Sequence, residues 1–171
     1  NLITVEQFNK NKNIINMSLR ENKITILDAG EYNIESPIII RDSSILVGKN
    51  NVIINSSKSN NGVIINLGSV KNLTIYNAKQ VGISVFNQSD VYKVLIKNTG
   101  IDSPINNRGY GMYSVGLTSH GNCIVSVEAF NGYNETGNSK LTRKGGNADG
   151  FGVKFGAHDI TFIDTHGHHN S

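Results

Sequence analysis

The most constraining feature of the chain is a repeat in its apolar runs. Asn55, Asn77 and Asn98 each close a Val/Ile-rich segment, and Ile53, Ile75 and Ile96 keep the same interval of about 21 or 22 residues. Gly62 and Gly82 each open a following segment. A period of that length marks stacked supersecondary units, each of which needs its neighbours to bury a core. Between the repeated positions lie apolar runs of about four residues separated by turn formers, too short for useful helices. They read as strands at Ile24–Leu27, Pro37–Ile40, Ser44–Val47, Val52–Asn55, Gly62–Leu67, Leu73–Tyr76, Gly82–Phe86 and Val94–Lys97. Met112–Leu117, Ile124–Val127, Phe151–Phe155 and Ile160–Ile163 continue the series.

An all-β parallel β-helix, a solenoid with three short strands per turn and apolar side chains inward, accounts for these facts together. Asn recurring at one position fits a ladder of stacked amides. The alternative, a β-sandwich, asks for hairpin turns between matching strands. The two Asn-Gly pairs, Asn61-Gly62 and Asn131-Gly132, do not sit cleanly between such strands. Residues 1–23 read as an N-terminal cap. Thr4 and Gln7 form a capping-box pattern ahead of Val5, Phe8, Ile14, Ile15 and Leu19, although the Asn/Lys run from Asn9 to Asn13 weakens a continuous helix. Residues 24–171 read as solenoid coils.

Bulk properties support this and bound the partners. The chain has 171 residues, 37% of them hydrophobic, with no tryptophan and two prolines. Low apolar content with many β-branched residues and turn formers favours short strands over helical packing. A net charge of +3 and a pI of about 9.0 suit an anionic partner without identifying one. The basic residues are scattered and match no nucleic-acid module, so nucleic acid is not expected as a partner. No segment has the roughly 18 apolar residues of a membrane span. Cys123, the sole cysteine, sits in an apolar run and is expected to be a buried, inert thiol. The chain begins at Asn1 and not Met, which reads as a mature, trimmed or fragmentary product.

The repeat then stretches. Gly82, Gly111 and Gly150 are separated by longer intervals, the extra length falling in Thr99–Tyr110 and Gly132–Ala148. Insertions on a solenoid emerge as loops, often on the binding face. The second carries Lys140, Arg143 and Lys144 just ahead of Asp149. A carboxylate among small residues suits a hard cation, and a basic loop beside it suits an acidic polymer. Asp149 is therefore a candidate metal ligand, and Arg143, Lys144 and Lys154 are candidate substrate-binding cations. Tyr110, Tyr113 and Tyr133 are candidates for stacking on sugar rings. His158, His166, His168 and His169 invite a zinc reading, but no cysteine or ordered carboxylate completes a tetrahedral set, and they read better as turn or ladder residues. Asp159 and Asp164 read as turn residues.

The segment VEAFNGYNETGNSKLTRKGGNADGFGVK, Val127 to Lys154, resembles the part of the polysaccharide lyase family 9 pectate lyases that leads into their calcium site. The string Asn147-Ala148-Asp149-Gly150-Phe151-x-x-Lys154 carries the resemblance, with the coil from His158 to Asn170-Ser171 after it. The resemblance covers roughly the last quarter of the chain, and the opening Ile24–Tyr32 is similar to the start of many pectin-lyase-like β-helices. It implies a right-handed parallel β-helix that cleaves an acidic, uronate-containing polysaccharide such as pectate by β-elimination. Calcium is held there by a cluster of aspartates and a lysine is the base. Asp149 matches the first aspartate. Lys154 matches a lysine near the metal and not the base, which together with the other ligands would follow Ser171. The resemblance thus implies a secreted, calcium-dependent enzyme present as a partial chain of little activity and a monomer when complete. Unpaired strand edges at an open solenoid end make the isolated chain aggregation-prone as an expectation of its own. The competing expectation is a non-catalytic β-helix that binds carbohydrate or serves as an adhesin or phage-tail component.

Overall fold

The computed structural model describes residues 1–100, 110–115, 119–132 and 149–170, with backbone alone for 110–115. Its strands are Leu2–Ile3 (β1), Ile24–Leu27 (β2), Gly30–Asn33 (β3), Ile38–Gly48 (β4), Val52–Asn55 (β5), Asn61–Tyr76 (β6) and Val81–Val85 (β7). They continue as Ser89–Lys97 (β8), Tyr110–Val115 (β9), His120–Phe130 (β10), Phe151–Lys154 (β11), His158–Ile163 (β12) and His166–His168 (β13). Two short helices, Val5–Lys10 (α1) and Ile14–Ser18 (α2), precede β2. Among the described residues the protein is thus mostly β, with few helices and a sheet that does not close on itself. No helix among the described residues is long and apolar enough to cross a membrane.

Every described ladder is parallel, and the registers show why the repeat exists. Ile54 lies beside Ile75, Ile75 beside Ile96, Ile96 beside Ala129 and Ala129 beside Gly167. Ile54, Ile75, Ile96 and Ala129 are fully buried. One such isoleucine contributes about 2–3 kcal/mol by leaving water. A second column runs through Val63, Ile83, Met112 and Phe151. The glycine series is in register too: these ladders place Gly62, Gly82, Gly111 and Gly150 in one column. A Cβ on Gly62 would come within 2.7 Å of the Gly82 carbonyl, so the close approach of successive passes demands glycine there.

Two expectations about register are corrected. Ile53 faces Thr74, so the true column is one residue later, at Ile54. Asn55 faces Tyr76, so it does not stack on Asn77. Asn77, Asn98 and Asn131 instead follow the paired residues Tyr76, Lys97 and Phe130, and all three have positive φ (62°, 57° and 54°). Asn131 Nδ2 donates to Asn98 Oδ1 at 3.2 Å. A second left-handed column contains Asn72, Lys93, Ser126 and Asp164. Asn and Asp tolerate this conformation better than other non-glycine residues, so the asparagine-rich composition serves the corners. Such corners bend strands without ending their pairing. That is why the runs read as Pro37–Ile40 and Ser44–Val47 fall on one strand, β4, which begins after Pro37 and is broken only by a register shift between Arg41 and Ser44.

The capping box forms as its pattern requires. Thr4 Oγ1 accepts from the Gln7 amide at 3.3 Å and Gln7 Oε1 accepts from the Thr4 amide at 2.9 Å. The helix stops at the Asn-rich run and resumes as α2. Phe8, Ile15 and Leu19 enter the same core as the strands. At the opposite edge Val153, Phe155, Phe162 and Ile163 are exposed.

Tyr32, also fully buried, donates to the carbonyls of Ile3 and Asp28, both at 2.9 Å. Burial, then the Asp28 charge, raises its pKa above the ordinary value of about 10, against a backbone hydrogen bond that lowers it. The folded state therefore holds this proton more tightly than the unfolded chain. The stabilisation is complete below pH ~10 and is lost as pH rises through the folded value. Tyr32→Phe should cost about 1–2 kcal/mol at neutral pH and flatten the alkaline loss, as read by urea melts at neutral and alkaline pH. An unchanged slope above pH ~10 would count against Tyr32 as its source.

Candidate functional site

Both insertions leave the sheet at one corner. The chain departs after Asn98 and after Asn131, which are joined by their amides, and returns at β9 and β11, which pair with each other. The roots are pinned. The Gly100 amide donates to the Ala78 carbonyl at 2.8 Å, and the Gly132 amide to Asn170 Oδ1 at 2.8 Å. Asn170 Nδ2 in turn donates to the Ala129 carbonyl at 3.3 Å.

Asp149 stands where the second insertion rejoins the sheet, and Lys154 ends β11 beside Val115 of β9. Their side chains form an ion pair at 3.6 Å, with 49% of Asp149 and 34% of Lys154 exposed. Exposure limits what the pair contributes to stability to about 1 kcal/mol or less. Gly150 does more than leave Asp149 uncovered. A Cβ there would meet Asn170 Nδ2 at 2.9 Å, Gly167 Cα at 3.1 Å and the Ala129 carbonyl at 3.3 Å, so packing against the next pass fixes it. Among the described residues no three His, Cys, Asp or Glu side chains gather as a metal set. Asp149 supplies one carboxylate of the six to eight oxygens that calcium takes. Arg143, Lys144, Lys140 and Tyr133 lie outside the described residues, and Tyr110 and Tyr113 are placed by backbone alone.

The histidines at this end make ladder contacts. His120 and His158 stack with ring centroids 5.3 Å apart, and Phe130 and His168 stack at 5.0 Å with planes 3° apart. His168 is held on both nitrogens, Nε2 2.6 Å from Glu128 Oε1 and Nδ1 2.6 Å from His169 Nδ1. Sequence reasoning missed Glu128, whose partner lies 40 residues away. Only the strand register links them. Asp159 and Asp164 are corner residues with φ of 52° and 50°, and Asp164 Oδ2 accepts from Ser126 Oγ at 3.0 Å.

Cys123 departs from expectation. It is half-buried on the outward side of β10, level with Asp90, while its neighbour Asn122 points inward. The buried Asn122 amide is satisfied, accepting from the Ser89 amide at 2.9 Å and donating to Ser119 Oγ at 3.3 Å.

No protein-family model and no curated protein matches the chain. Among solved structures it is similar to the crystal structure of an alginate lyase from Paenibacillus sp. str. FPU-7, with a TM-score of 0.51 and 14% identity. The match covers 96% of this chain and 64% of that one. At that identity the likeness is one of fold, a fold that a polysaccharide lyase also uses.

Proposed function

We propose that the chain is a right-handed parallel β-helix and acts as a calcium-dependent lyase on an acidic, uronate-containing polysaccharide such as pectate. The observation that carries this reading is the corner itself. Both insertions, one of them bearing Arg143 and Lys144, root beside the Asp149–Lys154 pair. The fold likeness to an alginate lyase supports the class of substrate, an acidic polysaccharide.

In this reading Asp149 is one ligand of calcium, completed by oxygens from outside the described residues. Bound to a uronate carboxylate, the cation would supply charge neutralisation for the anion that develops when the neighbouring C5 proton leaves. Lys154 is within reach of Asp149 and exchanges that partner for the substrate carboxylate. Arg143 and Lys144 take further carboxylates along the polymer. A polymer substrate goes with a secreted, extracellular, monomeric enzyme, with residues 1–23 as a cap on the solenoid domain.

The test is formation of unsaturated uronide from polygalacturonate and from alginate, with calcium and with a chelator. Product that depends on calcium is expected from one of them, in contrast to the little activity that the family resemblance implies for this chain. Binding of either polymer without cleavage would favour a non-catalytic carbohydrate-binding β-helix instead.

A further inference from the structure

We propose that His169 is the proton acceptor of this site, set in the required tautomer by Glu128 through His168. The proposal rests on the lyase reading above, and it departs from the lysine base that the family resemblance implies.

With an ionised Glu128 and a neutral His168 as premises, the contacts place the hydrogens in turn. An ionised carboxylate only accepts, so His168 Nε2, 2.6 Å from Glu128 Oε1, carries a hydrogen. In the neutral His168 ring Nδ1 then has the lone pair. The 2.6 Å contact between the two Nδ1 atoms therefore places the hydrogen on His169. Neutral His169 then has its basic lone pair on Nε2, outside this relay. The rings are held in place for this. Phe130 stacks on His168 with planes 3° apart, and the His166 ring lies 5.1 Å from it. His169 itself is at the corner, with φ of 51° and an exposed side chain. The next residue, Asn170, lies against Gly150, the neighbour of Asp149. An exposed imidazole with a defined lone pair thus shares a corner with the candidate cation ligand. Lys154, by contrast, sits against the Asp149 carboxylate.

The step balances without a co-reactant other than water. His169 Nε2 takes the C5 proton of a uronate. The electron pair left on that carbon forms the C4–C5 double bond as the C4–O bond breaks, and the departing glycosidic oxygen takes a proton from water. The imidazolium formed at His169 donates through Nδ1 to His168, which passes the interaction to the Glu128 carboxylate. A carboxylate behind an imidazole orients it and stabilises its charged form.

The experiment uses the full chain and whichever uronate polymer it cleaves. His169→Ala should lower kcat by about a hundredfold with KM little changed, and free imidazole should restore part of it. Glu128→Gln should lower kcat by about tenfold and shift the His168 and His169 ring nitrogens in ¹⁵N NMR. Wild-type NMR should show His169 protonated on Nδ1. Full activity of His169→Ala, a loss that imidazole does not rescue, or a wild-type His169 protonated on Nε2 would each overturn the proposal and leave the lyase reading standing. A wild-type chain that cleaves no uronate polymer removes the lyase reading and this proposal together.

Discussion

Gly48→Ala should destabilise the fold by about 3 kcal/mol, with a fall of roughly 6–12 °C in melting temperature followed by circular dichroism. A Cβ at Gly48 would land on the Asn72 carbonyl oxygen, with Val52 Cβ only 3.1 Å away. The obstacle is backbone of the next pass and not the tip of a flexible side chain. Relief therefore requires β4 and β6 to move apart, and their ladder runs from Ile38 to Val47. Gly121→Ala is the matched control. Its Cβ would meet Gln88 Cγ at 3.4 Å, an ordinary contact, so its cost comes only from a φ of 68°. Equal melting points for Gly48→Ala and the parent chain would show that neighbouring passes are not as close as the register places them.

Asp149→Asn should abolish calcium-dependent cleavage, a loss of about a hundredfold or more in kcat/KM, while leaving the melting temperature within a degree or two. The amide keeps the shape and one oxygen but removes the charge that a hard cation seeks. The structural cost is small because the pair with Lys154 is half exposed. Activity and stability therefore separate in this variant, whereas they fall together in Gly48→Ala. Calcium titration monitored by calorimetry gives the direct reading. Unchanged calcium affinity in Asp149→Asn would remove Asp149 from the ligand set.

What the sequence revealed follows from how local each cause is. The glycine column at 62, 82, 111 and 150 was legible because its members recur whatever the length between repeats, and at Gly62 and Gly150 close approach of neighbouring passes crowds out a Cβ. The capping box was legible because Thr4 and Gln7 are three residues apart and satisfy each other. The asparagines misled by one residue. Asn55 ends its strand on the face that bears Tyr76, while Asn77 has already entered the left-handed corner. Composition cannot tell those two uses of asparagine apart. β3 went unread because Tyr32 is its only buried side chain, which leaves no alternation to detect. Cys123 was assigned inward from its apolar neighbours, but a period of two sends Asn122 and Ile124 to the core instead. The Glu128–His168 contact spans an insertion of arbitrary length, so no spacing rule could have joined them.

The shared corner also separates two kinds of change. After each insertion pairing resumes on the same columns, Val81 beside Tyr110 and Met112 beside Phe151. Loop length there is consequently invisible to the core. Segments grafted between Asn131 and Asp149 can vary in sequence and size while the scaffold beneath them stays constant, so new surfaces can be sampled at that port without renegotiating the fold.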